Sequence, residues 1–398
     1  MRTLFHLFFL LLPGVLLAQT PLQKDLESLH QLLKHTKSYK QQHKARAAIK
    51  ERVREYQALE PRNSLEHLSY LVKAISPLND RHLGLYEVPD LSLYRTYDPD
   101  RISLPKFEIP ANEMLESKDS LVGKYHFGDW YILTVFPATL PGEYLGVVTD
   151  TKVGHWKRGE IAAWLQRRDD GSLSAIYAHP YTKNYQSFSI ERQTAGTLLR
   201  SEIILNGKVM GLIKEGSPST EQRKVHPSIP AFYHDKEAHY TRIKSFQKNA
   251  KTVRSTDSLL AVLRENQPDH FWIIDIRDQE GGARSEMKKY WKVVKRYKGK
   301  VALLVNFNTL SQAELFVIKA RRKVVVMGET TRGMLTYGSN FGKSQKLPSG
   351  NVMFYPTDMM GWPPHLRYEG KGIPPDLHLS LHQDWVEQAR SYFTLKSD

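Results

Sequence analysis

Between Leu22 and Ile75 apolar residues recur at three- and four-residue intervals: Leu22, Leu26, Leu29, Leu32 and Leu33, then Ile49, Val53 and Tyr56 with charges between them. That period puts one face of each segment on a core and predicts surface helices. Asn63-Ser64 precede a third apolar set, Leu65, Leu68, Leu71, Val72 and Ile75, and Pro77 ends it. The stretch from Pro77 to Leu85 reads as a turn entering extended chain.

From Asp119 to Glu215 the pattern changes to strands: Trp130 to Phe136, Tyr144 to Thr149, Glu160 to Gln166, Leu173 to Tyr177 and Leu198 to Leu205 are rich in aromatic and branched residues. Asp170-Gly171 and Asn206-Gly207 are two-residue hairpin signals. Together they predict an antiparallel sheet or small barrel, inserted as a domain and followed by a linker-like stretch from Gly216 to Pro230. Trp130, Tyr131, Trp156 and Trp164 could line a pocket there, but alternating strand positions more often fill a core.

Beyond Ala231 strands and helices alternate. Thr241 to Phe246, Phe271 to Ile276, Val301 to Val305 and Val324 to Met327 read as strands, the second and third apolar enough to be buried on both faces. Ser258 to Arg264, Met287 to Tyr297 and Ala313 to Ala320 read as helices. The order predicts an α/β core of mostly parallel strands.

The amino terminus has a different texture. Arg2, the apolar run Leu4 to Leu17 and the small residue Ala18 before Gln19 form a secretory signal over residues 1–18, which predicts an exported protein, periplasmic or secreted. No other run is long enough to predict a membrane span. At 398 residues, 40% hydrophobic and 25% charged, the composition is that of a folded protein of two or three domains. The absence of cysteine excludes disulfides, iron–sulfur clusters, thiolate zinc and a cysteine nucleophile. Without the signal the chain keeps 56 basic against 42 acidic residues. That excess suits peripheral contact with anionic surfaces. The charge is spread along the chain and no nucleic-acid fold signature occurs, so nucleic acid is not an expected partner.

Two segments could carry chemistry. Asn308-Thr309-Leu310-Ser311-Gln312-Ala313-Glu314 sets a serine after a buried strand and at the first turn of a helix, where backbone N–H groups can hold an oxyanion. Ser311 with Glu314 is equally a capping box, in which both side chains only satisfy backbone donors. Asp275-Ile276-Arg277-Asp278-Gln279-Glu280-Gly281-Gly282 follows another buried strand, and its glycine pair lets backbone approach a ligand. It is also what an ordinary strand-to-helix loop looks like. Neither a dinucleotide glycine loop nor a Walker loop is present, and no His and carboxylate pair has helical metal-ligand spacing. No cofactor and no metal are expected.

Four ordered motifs resemble one family. Trp272-Ile273-Ile274-Asp275-Ile276-Arg277 with Gly281-Gly282, Val301 to Asn306 with Thr309 to Glu314, Gly328-Glu329-Thr330-Thr331-Arg332-Gly333, and Glu369-Gly370-Lys371-Gly372-Ile373-Pro374-Pro375-Asp376 follow the order of the C-terminal processing (tail-specific) proteases. That family includes the tricorn core and the retinoid-binding repeats of the interphotoreceptor protein. The resemblance covers about Thr241 to Leu379, and Asn79-Asp80-Arg81-His82 is similar to its upstream histidine segment.

The resemblance implies an α/β fold with a crotonase-like (β-β-α) peptidase core over residues 226–398. A helical region over 19–118 carrying His82, and the inserted β-rich domain over 119–225, would precede it. It also implies that Ser311 is the nucleophile. The serine–lysine branch carries its base just after the last glycine of the Gly-Glu-x-Thr-x-Gly segment, where this chain has Met334, which cannot take a proton. The tricorn-like branch instead uses a histidine and a glutamate, matched here by His82 and Glu369.

In that reading His82 is the general base, and Glu369 orients it directly or through another hydroxyl. The N–H groups of Gln312 and of Gly281 or Gly282 form the oxyanion hole. The expected activity is hydrolysis of peptides or unfolded proteins through an acyl-enzyme. A non-catalytic relative that binds peptides or a hydrophobic ligand is the competing reading, and an esterase would use the same residues. Lys343 is expected to be a solvated charge, and Asp275 and Arg277 to brace their loop.

Overall fold

The computed structural model describes residues 19–89, 103–110, 117–168, 171–205, 208–218, 223–225, 230–234, 238–265, 271–339 and 343–395. The signal segment, the Asn206-Gly207 turn and most of the stretch after Gly216 lie outside the described residues.

Four helices open the fold: α1 (Pro21–His35), α2 (Lys37–Gln41), α3 (His43–Gln57) and α4 (Ser64–Ile75). Thr20 and Gln23 cap α1 reciprocally, at 2.9 and 3.2 Å. Asn63 Oδ1 accepts the Glu66 N–H at 3.0 Å and starts α4. The short α2 was not evident from the apolar period. It arises because Thr36 leaves the helical conformation and caps the next turn by accepting the Tyr39 N–H. Leu22, Leu26, Leu29, Leu33, Leu65, Leu68 and Leu71 are all buried, as their spacing requires.

After β1 (Gly84–Glu87) the chain runs through β2 (Gly123–Phe127), β3 (Tyr131–Pro137), β4 (Glu143–Thr151), β5 (Ile161–Arg167), β6 (Leu173–Ala178), β7 (Tyr185–Glu191), β8 (Gln193–Thr194), β9 (Thr197–Leu205) and β10 (Lys208–Lys214). These strands pair antiparallel in the spatial order β7-β6-β5-β4-β3-β2-β10-β9-β8. Because β8 continues β7 after one residue and pairs with β9, the sheet closes on itself as a barrel. The Leu199 N–H donates to the Arg192 carbonyl at 3.0 Å across that seam. Tyr131, Trp156 and Trp164 are buried in it. The sheet also reaches outside the expected interval: β1 pairs with β7 at Tyr86 and Gln186, so the turn that precedes β1 is held against the barrel wall.

The second sheet is built from β11 (Phe232–His234), β12 (Ala238–Arg242), β13 (Phe271–Asp275), β14 (Lys300–Val305) and β15 (Val325–Gly328). Next come the hairpin β16 (Gln345–Lys346) and β17 (Val352–Tyr355), which joins β1, and then β18 (Leu377–His378). Strands β12, β13, β14, β15 and β18 are parallel, and β11 is antiparallel at the edge. Helices α5 (Ala250–Glu265), α6 (Arg284–Arg296) and α7 (Gln312–Ala320) cover one face, where Trp272, Ile274, Leu303 and Val305 are buried; α8 (Trp385–Thr394) covers the other over Ile273, Ala302 and Leu304. Burial on both faces explains the unbroken apolar runs of β13 and β14. The strand expected at Thr241–Phe246 begins and ends earlier, because residues 243–246 leave the sheet and Phe246 forms a single bridge with Gly282.

Asp275 ends β13 fully buried and accepts the Arg277 guanidinium at 2.6 Å and the Tyr240 hydroxyl at 2.8 Å. Removing the cation leaves a buried carboxylate without its partner. Arg277→Met is therefore expected to cost about 3–5 kcal/mol in urea unfolding. Combining it with Asp275→Leu should restore much of that loss.

Candidate active site

Ser311 stands between β14 and α7 in a strained conformation, with φ 58° and ψ −122°. A residue with a side chain adopts such angles only where its surroundings fix them. Here the fixing group is Glu314, one turn into α7 and fully buried. Its Oε2 accepts the Ser311 N–H at 3.1 Å and the Met334 N–H at 2.9 Å; its Oε1 accepts the Thr331 hydroxyl at 2.6 Å and the Gly333 N–H at 2.7 Å. The carboxylate half of the capping box is thus present, and it also holds the 331–334 loop. Behind the serine, Thr309 Oγ1 donates to the Ile276 carbonyl at 2.9 Å and the Leu310 N–H to the Gln279 carbonyl at 3.0 Å, which ties the loops after β13 and β14 together.

His82 arrives from the turn between α4 and β1. Gln42 fixes that turn by exchanging two hydrogen bonds with the Asn79 backbone, at 3.0 and 3.1 Å. Asp80 accepts the His82 N–H at 3.2 Å and the Thr357 hydroxyl at 2.6 Å. The result is a distance of 3.2 Å between His82 Nε2 and Ser311 Oγ, two atoms 229 positions apart in sequence. Burial, and then the Arg332 charge, push the imidazole down to about 4, so the ring is neutral at neutral pH and able to accept a proton.

Glu369 lies in the same place without bonding to the imidazole. Its Oε1 accepts the Arg81 N–H at 2.8 Å, and its Oε2 accepts the Leu335 and Thr336 N–H groups at 3.1 and 2.8 Å. Among the described residues neither of the expected arrangements, a direct contact or one through a hydroxyl, is present: three backbone donors hold this carboxylate on the chain beside His82. Burial, and next the Asp80 charge, push it up to about 7. Among the described residues His82 Nδ1 and Thr336 Oγ1 find no hydrogen-bond partner, and both are buried. Donor atoms of Asp80, His82 and Glu369 lie within 4.8 Å of one another, so two carboxylates surround the imidazole at a distance short of hydrogen bonding.

The backbone groups expected to bind an oxyanion divide in an unexpected way. The Gly281 N–H donates to the side-chain carbonyl of Gln279 at 2.7 Å and is engaged. No intramolecular acceptor for the N–H groups of Gln312 or Gly282 occurs among the described residues. Gly281, at φ +94°, instead serves by its lack of a side chain: a Cβ would lie 2.7 Å from the Gln312 nitrogen and 2.9 Å from Ser311 Cβ. Met334 is half-buried and packs against Phe307, Ile190 and Leu199, an apolar contact with no proton to give.

Sequence reasoning passed over Arg332. Its buried guanidinium donates to the Phe307 carbonyl at 3.3 Å and to Asn308 Oδ1, and its own N–H to the Thr309 carbonyl at 3.2 Å. It therefore braces the turn that presents Ser311. Its place in the Gly-Glu-x-Thr-x-Gly segment was the available signal. Asp80 stood in the quoted histidine segment, and Thr357 had no signal at all.

Residues 284–379 match the family described as Peptidase family S41. The matched stretch contains Ser311, Gln312, Met334 and Glu369; His82, Gly281 and Gly282 precede it. On this match the protein is a hydrolase of the serine-protease class. No curated protein matches the chain. Among solved structures, a lipoprotein from Streptococcus agalactiae is 18% identical, covering 41% of this chain and 68% of that one at a TM-score of 0.29. The photosystem II D1 C-terminal processing protease is 14% identical, with coverages of 94% and 97% and a TM-score of 0.38. The tricorn protease is 9% identical, with coverages of 94% and 37% and a TM-score of 0.43. No helix among the described residues is long and apolar enough to cross a membrane.

Two measurements follow from this geometry. His82 is neutral from about 4 upward when folded but from 6.5 when unfolded. As pH falls through that window the unfolded chain binds a proton that folded His82 refuses, so the residue withdraws stability. Glu369 acts with the opposite sign: its contribution is present below 4.5 and lost as pH rises through about 7. The His82 ring proton should titrate in NMR near 4, and His82→Asn should make the loss of melting temperature between pH 6.5 and 4 shallower. Separately, Gly281→Ala should destabilise by about 1–3 kcal/mol and displace the Gln312 N–H, with reactivity of Ser311 falling by at least tenfold.

Proposed function

We propose that the protein is a serine peptidase that cleaves peptide bonds through an acyl-enzyme on Ser311, with His82 as general base. The observation that carries this reading is the 3.2 Å contact between His82 Nε2 and Ser311 Oγ. A serine hydroxyl is a weak nucleophile until a neutral base takes its proton as it attacks. His82 accepts that proton while Oγ bonds to the substrate carbonyl carbon. The carbonyl oxygen becomes an oxyanion, and the Gln312 and Gly282 N–H groups are its donors. When the intermediate collapses, the C–N bond breaks and His82 returns the proton to the leaving amine. Water then attacks the acyl-enzyme by the same route, with His82 again taking and returning a proton, and Ser311 is regenerated.

Glu369 and Asp80 support the imidazolium that exists between those transfers. Neither carboxylate is bonded to the ring, so each acts by its field and by fixing the backbone on either side of His82. They are positioning residues. In this reading residues 226–398 form the crotonase-like core, the β-rich unit over 119–225 faces substrate, and the signal at residues 1–18 directs export.

The test is mass spectrometry after incubation with a fluorophosphonate. The expected result is one adduct, mapped to Ser311, absent in Ser311→Ala and reduced by at least a thousandfold in rate in His82→Ala. Peptide cleavage should be lost in parallel while both variants keep the parent melting temperature to within a few degrees. Full labelling of His82→Ala would remove the base assignment. A protein that binds peptides but labels nowhere would favour the non-catalytic reading.

A further inference from the structure

Exposed apolar side chains are not spread evenly over the molecule. Among the described residues seven large ones are exposed, and three of them fall within four positions: Met359, Met360 and Trp362, at 42%, 62% and 61%. They form the tip of the loop between β17 and the 3₁₀ turn Pro363–Tyr368. The backbone under this tip is fixed. The Asp358 and Met359 N–H groups both donate to the Gly338 carbonyl at 3.0 Å, and the Gly361 N–H donates to Gln41 Oε1 at 3.2 Å. Gly361 lies close against Tyr337, where a Cβ would come within 2.4 Å of the ring. Pro363 and Pro364 then hold φ for the next two residues. The exposure is thus built into a held loop, and a contiguous apolar tip of that kind marks a place of contact.

Gln41 brings the tip against α2, and there the charge is one-sided. From Ser28 to Lys50 the chain has Lys34, Lys37, Lys40, Lys44, Arg46 and Lys50, and neither Asp nor Glu. Lys34, Lys40, Lys44 and Lys50 are exposed. Lys37 stands one turn before Gln41 in α2, and Lys44 follows in the first turn of α3. The loop itself is balanced, with Asp358 against Arg367 over residues 356–368, so the excess belongs to the helices. A second basic face, Lys288, Lys292 and Lys295 on α6, has no exposed large apolar side chain on its helix.

Methionine and tryptophan beside lysine suit the interface of an anionic bilayer. The apolar side chains enter at headgroup level and the ammonium groups meet lipid phosphates. Three side chains are too few for a stable protein interface, which buries about 800 Å² a side. A bilayer instead lets each lysine around the tip contribute separately. We propose that the Met359–Trp362 tip and the basic α2–α3 segment form a docking face for an anionic phospholipid surface. Gln42 donates to the Tyr337 hydroxyl at 3.3 Å and to the Asn79 carbonyl at 3.1 Å. The face therefore adjoins the turn that carries His82, and docking holds the candidate active site at the lipid surface. The inference does not depend on the peptidase reading, because binding is measured without cleavage.

The experiment is flotation of the signal-processed protein with vesicles of phosphatidylcholine alone and of equal parts phosphatidylcholine and phosphatidylglycerol. Every described helix and strand follows residue 19, so the apolar run of the signal plays no part in the result. Anionic vesicles should bind at least about tenfold more tightly than neutral ones, and about 0.5 M salt should remove most of that difference. Lys40→Gln with Lys44→Gln should weaken binding about tenfold, and Met360→Ser with Trp362→Ser by a similar factor. Lys288→Gln with Lys292→Gln should leave it within about twofold, since those lysines lie away from the tip. The part of the tryptophan fluorescence that brominated lipid quenches should be lost in Trp362→Phe. Equal binding to both vesicles, binding to neither, or equal losses from the two lysine pairs overturns the face. So does a tip variant that floats like the parent; if that variant instead loses peptide cleavage or a concentration-dependent self-association, the tip serves substrate or a second copy. The two-vesicle comparison and its salt dependence use the unaltered protein, so they can refute the proposal even if a variant fails to fold.

Discussion

Two buried carboxylates, Glu314 and Glu369, carry the geometry of the site from one part of the chain to the other. Glu314 joins the Ser311 turn to the loop at 331–334 through four hydrogen bonds. The loop passes the constraint on through Gly333, whose carbonyl accepts the Gly370 N–H at 2.8 Å. Glu369, next to Gly370, then binds the N–H of Arg81, the residue before His82. The two outer steps set a buried carboxyl acceptor against backbone N–H groups and the Thr331 hydroxyl, and the middle one is a neutral backbone pair, all in a setting that excludes water. Ser311 and His82 stand on segments that lead into different sheets, and this relay ties those two segments together.

The same burial sets the protonation states. A desolvated imidazole prefers to be neutral, and a desolvated carboxyl prefers to keep its proton; His82 and Glu369 are shifted in those directions. In the proposed mechanism a ring that is neutral at rest is available as a base, and the imidazolium it becomes is the species that needs nearby negative charge. Asp80 and Glu369 have ligand atoms within 4.8 Å of the ring, but burial pushes both carboxyls toward the neutral form, so either supplies that charge only once it has given up its proton. Arg332 works against protonation of the ring and braces the serine turn at once, which explains a buried cation this close to the base.

The apolar repeats along the chain specified the central strands of both sheets, because a strand buried on both faces and a helix with one buried face leave distinct periods. The helices from Pro21 to Ile75, strands β13 and β14 and strands β3, β4, β5, β6 and β9 were legible in this way, whereas β2, β7, β8 and β10 were not. The break at Thr36 was not: a threonine that caps a second helix interrupts the backbone without interrupting the leucines. The limits of β12 were also not legible, since Ile243 and Phe246 remain apolar and buried after the chain leaves the sheet.

For the site, sequence by itself determined that Ser311 begins a helix after a buried strand, that Met334 cannot act as a base and that no thiol chemistry is available. The ordered motifs added His82 and Glu369. Only the tertiary structure decided that His82 Nε2 reaches Ser311 Oγ, that Glu369 holds backbone and not the ring, and that the Gly281 N–H is taken by Gln279. These are matters of distance and of which hydrogen-bond donor reaches which acceptor. They arise from contacts between residues up to 288 positions apart, which a local pattern of polar and apolar residues does not encode.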